Sequence, residues 1–400
     1  MVPDDEVIRV PVPADEAHRR LAKFHAPEIV FGLGARFEAA HAAARLGARR
    51  PFLVTDAGLT EAGWADQLQE HLIDYGLRPA VWTDVTPNPK DHEVEAGHGK
   101  YAASGCDVIV ALGGGSVIDA AKGIAVLAAN GGEILDYEGI DRIGRPIPPV
   151  VMLPSTAGTG ADVSQFCIIT DTTRSIKITI MGRALVPDVS VVDPELLTTM
   201  PEWLAAATGL DALTHGIEAF LSRAHNPLTD RHALQSISLV SDHLVHTIDH
   251  PADLDARVFM AQASLEAGLA FTNAILGATH AMSHQVGGLL DLPHGVINGV
   301  LLPHVVRFNA VTAPHRYVPV ARALGLEIDP RSPEEAAMSV AERIRTLADE
   351  VGVPRGLAEL GVAEADLPQL ARSTLADACM STNPRTATVG EVEDLFRTAL

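Results

Sequence analysis

One short segment limits the fold of this chain more than any other. Residues 107–112, DVIVAL, begin with one acid and continue as an uninterrupted apolar run. Such a run predicts a strand that is buried on both faces, as in a parallel sheet covered by helices. Similar apolar segments lie at 51–56 and 79–85, and helices are predicted between them at 64–75 and 91–104. This alternation predicts right-handed crossovers and a parallel α/β sheet, with ligands at the carboxyl ends of its strands.

A glycine-rich turn follows this strand directly. GGGSVIDAAKG, residues 113–123, places three glycines before a predicted helix, and Ser116 is suited to cap that helix. The free N–H groups and the positive dipole end of such a helix form a ready site for a diphosphate. The pattern is neither a G-x-G-x-x-G fingerprint nor a P-loop, and by itself it is equally consistent with a tight turn that holds no ligand.

A second loop of glycines and hydroxyl residues, PSTAGTGADVS at residues 154–164, follows the next apolar strand. Its small side chains are suited to wall the other side of a nucleotide groove. Two later segments, CIITD and SIKITIMG, are expected to pair like a hairpin. Lys177 in the second segment lies either on a solvated strand face or beside a phosphate or ribose. The sheet region is predicted to end at Pro194, which gives an α/β domain over residues 1–194.

From residue 195 to residue 400 the sequence has helical periodicity, rich in alanine and leucine, and no convincing strand-like alternation. This pattern predicts an all-α second domain. The most unusual stretch in it is LGATHAMSHQVGGLLDLPHGVINGVLLPH, residues 276–304, where four histidines lie among apolar and glycine residues. A ligand site is expected in the cleft between the two domains.

The histidines of this stretch are candidates for metal binding. His280 and His284 are four residues apart and would share one face of a helix, while His294 opens the next segment. Upstream, Asp211 and His215 repeat the four-residue spacing. One carboxylate and several imidazoles are a plausible ligand set for a divalent cation. A single helical histidine is more often an ordinary core or surface residue, and the spacing alone leaves open which of them bind.

Composition excludes several classes of function. The chain has 400 residues, enough for two domains, and a net charge of −21, so no basic surface is available for nucleic acid or an anionic membrane. Cys106, Cys167 and Cys379 have no C-x-x-C spacing, which excludes a disulfide framework and a zinc ribbon. The acidic, proline-containing first 20 residues lack the apolar core of a signal peptide, so a cytoplasmic protein is expected.

Five longer motifs together resemble the iron-containing, or group III, alcohol dehydrogenases. They are GGGSVIDAAK, LPSTAGTGADVSQFCIITD, ATGLDALTHGIEAFLS, HAMSHQVGGLLDLPHGVINGVLLPHVVRFN and DACMSTNPR, and they occur in the family's order over nearly the whole chain. Within the family, the chain looks closest to the lactaldehyde/1,2-propanediol and 1,3-propanediol oxidoreductases. The resemblance implies a dehydroquinate synthase-like fold, in which a Rossmann-like dinucleotide-binding α/β domain with a parallel sheet precedes an all-α metal-binding domain.

The resemblance also implies roles for individual residues. The metal ligands fall on Asp211, His215, His280 and His294. The remaining helical histidine, His284, lies beside the nicotinamide in the family and is the candidate catalytic residue that relays a proton to water. Spacing alone would have allowed His280 and His284 as the ligand pair, so this choice rests on the resemblance.

NAD is the implied cofactor, and Phe271 matches an aromatic residue that lines the family's substrate pocket. The implied NAD contacts are Asp56, Asn88, Gly114, Gly115, Ser116, Ser155, Thr156, Ser164, Lys177 and Leu196. Two of the motif positions depart mildly from the family, because Ser155 stands where threonine is frequent and Asp162 replaces the usual glutamate. Asp162 is therefore given no contact.

The implied reaction is the reversible oxidation of a primary alcohol or short diol to an aldehyde, with hydride transfer to NAD. Fe(II) is favoured as the metal and Zn(II) is possible, because members of the family are found with either. The partners expected are a small-molecule alcohol or aldehyde and further copies of the same chain. Two alternatives are a non-redox dehydroquinate-synthase-like lyase and a non-catalytic metal-stapled scaffold or filament subunit.

Cofactor choice is predicted from Asp56, which ends the strand at residues 51–56. Its carboxylate would accept a hydrogen bond from a ribose 2′-hydroxyl and repel a 2′-phosphate, which favours NAD over NADP. The alternative is an aspartate that only caps the following turn.

Overall fold

The computed structural model describes residues 21–174 and 176–400, so the acidic leader at residues 1–20 lies outside the described residues. Within them the strands are β1 (Glu28–Phe31), β2 (Pro51–Val54), β3 (Ala80–Trp82), β4 (Val108–Gly113), β5 (Gly139–Ile140), β6 (Val150–Pro154), β7 (Phe166–Asp171), β8 (Ile176–Met181) and β9 (Val189–Val192). The helices of the first half are α1 (Ala39–Arg45), α2 (Ala57–Glu61), α3 (Trp64–Asp74), α4 (Asp91–Ser104) and α5 (Gly115–Asn130).

The helices of the second half are α6 (Glu202–Leu221), α7 (Pro227–Asp249), α8 (Leu254–Ala274), α9 (Ala278–Leu290), α10 (His294–Asn309), α11 (Tyr317–Ala323), α12 (Pro333–Glu350), α13 (Leu367–Ala376) and α14 (Val389–Thr398). None of the described residues from 200 onward lies in a β-strand. The predicted fold class, a parallel sheet with helices followed by a helical part, is confirmed.

Six strands form the main sheet in the order β1-β9-β6-β4-β2-β3, and every pair in it is parallel. Strand β4 lies in the interior of this sheet, and all of its residues are buried. Val108 and Val110 pack in one apolar cluster, whereas Ile109 and Ala111 pack in another. Successive side chains point to opposite faces of a strand, so each face of β4 has its own core. This explains the uninterrupted apolar run.

A smaller sheet, in the order β5-β8-β7, lies beside the main one. Strands β7 and β8 are antiparallel, as the hairpin-like pairing of the two segments predicted, and Lys177 lies opposite Thr170 in this pair. The hairpin brings Lys177 into a cavity that it shares with the helical part.

Helix α6 is the centre of the helical part, and all of its residues from Ala205 to Leu221 are buried. Small residues allow its neighbours to approach closely. A Cβ atom on Gly295 of α10 would lie 1.8 Å from the carbonyl oxygen of Ala207 in α6, so only glycine fits there. This contact places the first turn of α10 directly against α6.

Among residues 21–174 and 176–400, no helix combines the length and the apolar character needed to cross a membrane.

Candidate active site

A cavity of about 600 Å³ lies between the carboxyl ends of β2, β4 and β6 and the helices α6, α9 and α10. Its lining includes every site residue named from the sequence except Leu196, namely Asp56, Asn88, Gly114, Gly115, Ser116, Ser155, Thr156, Ser164, Lys177, Asp211, His215, Phe271, His280, His284 and His294. Leu196 packs in the apolar cluster that contains Leu153 and Val191, so the cavity lining gives no support to its expected contact with NAD.

Three of the four proposed metal ligands converge at one wall of the cavity. Asp211 and His215 lie one turn apart on α6, and His280 lies on the adjacent helix α9. One ligand atom from each of the three residues lies within 4.8 Å of the others. The imidazoles of His215 and His280 are stacked, with ring centroids 4.5 Å apart, and all three residues are buried.

A second layer of polar groups fixes the orientation of these side chains. The Nδ1 atom of His280 lies 2.8 Å from the Glu218 carboxylate, and the Nδ1 atom of His215 lies 3.2 Å from the carbonyl oxygen of Gly158. Asn298 donates from Nδ2 to the Asp211 carboxylate at 2.8 Å. Partners of this kind on Nδ1 leave Nε2 available to a metal ion and are typical of metal-binding histidines.

The charges of this cluster are strongly coupled. Burial alone would lower the pKa of His280, but hydrogen bonds to Asp211 and Glu218 raise it to about 9. Burial lowers the pKa of His215 to about 4, against the opposing effect of Asp211. Burial opposes ionisation of Asp211, yet His215 and His280 hold the pKa of this carboxyl below its usual range. The cluster therefore offers one ionised carboxylate and the lone pair of His215 to a cation.

His294 lies at the first residue of α10, near the trio but not within it. Its Nε2 atom lies 3.1 Å from the Nζ atom of Lys177, and its Nδ1 atom lies 3.1 Å from the Ser283 hydroxyl. Burial and the charge of Lys177 lower the pKa of His294 well below its usual range. The imidazole is therefore neutral, with an Nε2 lone pair facing an ammonium group.

His284 has a different set of partners. Its Nδ1 atom lies 2.8 Å from the carboxylate of Asp377, and both side chains are almost fully buried. Its ring lies 5.1 Å from that of His294 and 6.2 Å from that of His280, measured between centroids. Because Asp377 engages Nδ1, the Nε2 atom is the nitrogen that remains for the cavity, beside the proposed ligands.

The opposite wall of the cavity is built by the two glycine loops. A Cβ atom on Gly114 would lie 3.0 Å from Thr156, and one on Gly115 would lie 2.8 Å from Thr159, so the absence of side chains lets the two loops meet. Ser116 accepts a hydrogen bond at Oγ from the backbone N–H of Asn88. The amino terminus of α5 thus faces the cavity with its backbone accessible.

Lys122, a buried residue of α5, holds the second loop in place. Its Nζ atom donates to the carbonyl oxygens of Ala161, Ser164 and Phe166 at 2.7 to 2.9 Å. Burial lowers the pKa of this amino group to about 8. This single side chain orders the backbone on both sides of Ser164.

Asp56 performs the capping role that was the alternative for it. It is the N-cap of α2, and one carboxylate oxygen accepts from the backbone N–H of Leu59 at 2.9 Å. The same residue lines the cavity. Capping α2 therefore does not prevent the Asp56 carboxylate from accepting a hydrogen bond from a ribose hydroxyl, as expected.

Glu218, Asp377 and Lys122 were not identified from the sequence. Glu218 carried a usable signal, because it lies seven residues after Asp211 and three after His215, on the same face of a helix. Asp377 lies 93 residues from His284, and no local pattern connects them.

The residues present fit both groups that the resemblance implies. Two imidazoles and a carboxylate converge, and the buried Oδ1 atom of Asn298 beside them has no hydrogen-bond partner among the described residues. Oxygen and nitrogen donors of this kind suit Fe(II) or Zn(II). At the other wall, the buried Oγ1 atom of Thr156 is also without a partner within the described part of the chain, next to the turn formed by Gly114 and Gly115.

Comparisons with known proteins show the family of the chain. Residues 26–194 match the family description "Iron-containing alcohol dehydrogenase", and residues 205–400 match "Fe-containing alcohol dehydrogenase family, C-terminal". The chain is 42% identical over 356 residues to the 1,3-propanediol dehydrogenase of Citrobacter freundii, which covers 88% of this chain and 92% of the relative. It is 37% identical over 377 residues to the NAD-dependent methanol dehydrogenase of Bacillus methanolicus, covering 94% of this chain and 99% of the relative.

A crystal structure of a 1,3-propanediol oxidoreductase superposes on the chain with a TM-score of 0.92 at 40% sequence identity, and the match covers 95% of this chain and 100% of that one. The expected family and the expected class of enzyme, an NAD-linked alcohol dehydrogenase, are both confirmed. With matches that extend over both halves, the chain belongs to the iron-containing alcohol dehydrogenase family.

Proposed function

We propose that this alcohol dehydrogenase oxidises a primary alcohol or short diol to an aldehyde, with Asp211, His215, His280 and His294 as its metal ligands. One observation carries the proposal: three of these ligands converge at a cavity whose opposite wall is a glycine turn at a helix amino terminus. A cation and a dinucleotide can therefore face each other across one enclosed space. The residue assignments and the substrate class are parts of this proposal.

A divalent metal held by these residues would supply a positive charge that makes the alcohol hydroxyl more acidic. Bound NAD would supply the acceptor for the hydride that leaves the alcohol carbon. The protein's own residues bind and orient both. The amino terminus of α5, with Gly114, Gly115 and Ser116, is the proposed cradle for the diphosphate.

The hydroxyl proton of the alcohol must leave the cavity, and His284 is the residue proposed to receive it. Asp377 accepts from Nδ1–H of His284, so the neutral imidazole presents the lone pair of Nε2 to the cavity. This arrangement fixes the tautomer that can accept a proton, and the carboxylate stabilises the imidazolium that results. In the reverse direction the same nitrogen returns the proton.

Apolar groups limit the size of the substrate. Phe271 is buried and stacks on the ring of His215, with centroids 4.4 Å apart. Leu276 and Cys379 also line this part of the cavity. A short carbon chain packs against these surfaces, and such packing excludes water from the reacting centre.

The lining argues against the lyase alternative. Among the described residues that line the cavity, Lys177 is the only lysine or arginine, and it already contacts Asn88 and His294. A substrate that carries several anionic groups would need more cationic partners. The family shown by the comparisons also favours a redox enzyme over a non-catalytic scaffold.

We favour Fe(II) as the metal because the family is described by iron, although Zn(II) binds a given site of nitrogen and oxygen ligands more tightly. The test is anaerobic reconstitution of metal-free protein with either ion, followed by NAD reduction with methanol, 1,2-propanediol and 1,3-propanediol. Turnover with Fe(II) on a diol supports the proposal. Activity with Zn(II) alone would refute the choice of iron, and absence of turnover with every alcohol would refute the substrate class.

We also propose that the enzyme is a cytoplasmic homo-oligomer. The three cysteines are free thiols, as expected in a reducing compartment. Strand β1 is an edge of the main sheet, and Phe31, Leu33 and Phe37 are exposed beside it, which supports association between copies. Light scattering coupled to size exclusion measures the oligomer directly, and a monomer at micromolar concentration would contradict this part.

A further inference from the structure

A second group of metal-binding side chains lies beside the proposed metal site. His284 on α9 meets Asp377 and Cys379, which lie at the start of the short 3-10 helix Ala378–Thr382. One ligand atom from each of the three lies within 4.8 Å of the others. The Asp377 carboxylate accepts from His284 Nδ1 at 2.8 Å and from the backbone N–H of Cys379 at 2.9 Å. The Cys379 thiol also hydrogen-bonds to this carboxylate.

The chemistry of the three side chains differs from that of the first cluster. A thiol, an imidazole and a carboxylate form a ligand set that selects thiophilic cations such as Zn(II) over Fe(II) or Mg(II). In a tetrahedral zinc site the ligand atoms lie roughly 3.3 to 3.8 Å apart, given the usual zinc–ligand distances. The present separations are close enough for small rotations of the side chains to reach such a geometry.

The surroundings also accept a cation. Burial alone would raise the pKa of the Asp377 carboxyl, but the neighbouring His284 outweighs this effect and holds the pKa below its usual range. The carboxyl group is therefore ionised. Burial and the charge of Asp377 raise the pKa of the Cys379 thiol well above its usual value, so the thiolate forms only when a bound cation displaces the proton. The carboxylate and this thiolate then supply two negative charges, which balance a divalent ion. Because these two charges neutralise a divalent cation bound there, that cation would repel the ion of the catalytic site only weakly. His284 and Cys379 line the cavity, so a cation can reach the trio from it.

We propose that His284, Asp377 and Cys379 form a second site for a thiophilic divalent cation such as Zn(II), and that occupation of this site inhibits the enzyme. Binding releases one proton from the Cys379 thiol and moves the imidazole proton of His284 from Nδ1 to Nε2. The metal–sulfur, metal–nitrogen and metal–oxygen bonds replace the hydrogen bonds within the trio. The Nε2 lone pair is lost to the cavity, so His284 no longer accepts a proton from the substrate.

Cobalt(II) gives a readout that is independent of activity. The proposed catalytic ligands contain no sulfur, so a thiolate-to-Co(II) charge-transfer band in the near ultraviolet reports the second site alone. Titration of the full-length protein with Co(II) under anaerobic conditions should produce this band as the second equivalent binds. Cys379→Ser should remove the band, and Asp377→Asn should raise the Co(II) concentration at half-saturation by about tenfold or more. Cys106→Ser is the matched control and should keep the band.

The proposals of the two metal sites can be tested separately. Asp211→Ala should lose the metal of the catalytic site and keep the thiolate band. Zn(II) added to enzyme that holds its catalytic metal should inhibit the wild type. For Cys379→Ser, the Zn(II) concentration that halves the variant's own zinc-free rate should be at least about tenfold higher than for the wild type. Absence of the band in wild-type protein, or its persistence in Cys379→Ser, would overturn the site. A band without inhibition by Zn(II) would overturn its inhibitory role.

Discussion

The Nε2 atom of His294 lies 3.1 Å from the Nζ atom of Lys177, so the first turn of α10 contacts the strand β8 across the cavity. The lone pair that a metal ion would use faces an ammonium group in this arrangement. His294 is therefore the ligand whose assignment most needs a test, because the other three already converge.

Alanine in place of Asp211, His215, His280 or His294 should reduce bound metal strongly, because each removes one of four donors. In protein loaded with one equivalent of metal, His284→Ala should retain the ion of the catalytic site and lower the rate of turnover. Elemental analysis of the five purified variants measures both effects. Full metal content in His294→Ala together with metal loss in His284→Ala would require a different ligand set.

Asp377→Asn should lower kcat by about tenfold to a hundredfold, because an amide does not stabilise the imidazolium of His284, whereas general acid–base catalysis as a whole contributes about 10² to 10⁴ in rate. KM for the alcohol and the catalytic metal content should change little. His284→Ala should cost more, and the double variant should be no slower than His284→Ala. Additive losses in the double variant would show that Asp377 acts elsewhere than through His284.

Asp56→Asn separates the charge of this residue from its cap. The amide oxygen can still accept from Leu59 N–H, so the thermal midpoint should stay close to that of the wild type. Loss of the charge should raise kcat/KM with NADP, since a carboxylate and a phosphate about 4 Å apart repel by about 4 kcal/mol at an effective dielectric near 20, before solvent relaxation. Steady-state kinetics with both cofactors is the measurement, and an unchanged ratio of NAD to NADP would leave Asp56 as a cap only.

Gly295→Ala should disturb the metal site without touching a ligand. The added methyl would overlap the carbonyl of Ala207, so the first turn of α10 must move and carry His294 with it. Overpacking of this kind costs about 1 to 3 kcal/mol, and metal content should fall as well. Gly390→Ala is the control, because that helical glycine has no neighbour within 4 Å of the added methyl and should be neutral or slightly stabilising.

The metal-free enzyme should lose stability as the pH falls from about 6.5 towards 4, where the lowered pKa of His215 lies. Its folded-state pKa is below the unfolded value, so protons bind preferentially to the unfolded chain in this window, and a shift of this size corresponds to about 3 kcal/mol. The stabilisation linked to the raised pKa of His280 is fully present below pH 6.5. It is lost only as the pH rises towards 9, which lies outside the window. Urea midpoints at several pH values measure the slope. His215→Asn should reduce it, and His294, whose pKa is also lowered by burial, should account for part of the slope that remains. An equal slope in both proteins would assign the acid sensitivity to other groups.

Much of this architecture follows from local sequence. The run at β4, the alternating elements and the helical second half were predictable because each is encoded within a few consecutive residues. The glycine turn was visible as a pattern, but its ligand was not, since GGGS serves equally well as a tight turn. The choice of His294 over His284 as a ligand came from family resemblance and remains a prediction.

The supporting residues were harder to predict because they act over long separations. Asp377 reaches His284 only through the packing of the 3-10 helix Ala378–Thr382 on α9. Lys122 resembles an ordinary helical lysine, and only the fold directs its Nζ atom at three carbonyl groups. Leu196, which the resemblance places in contact with NAD, packs in the apolar core, so the packing gives this contact no support and it stays a prediction.

The pairing of β1 with β9 has a consequence for the order in which the protein can assemble. Glu28 lies opposite Val189, so the first of the described strands to be synthesised pairs, within the main sheet of residues 21–174 and 176–400, with a strand about 160 residues later. At a translation rate of about 5 to 20 residues per second, β9 is synthesised roughly 8 to 30 seconds after β1. The interior strands β2, β4 and β6 can associate during that interval. Of the described strands in the main sheet, β1 therefore leaves the ribosome first and is the last to find its partner.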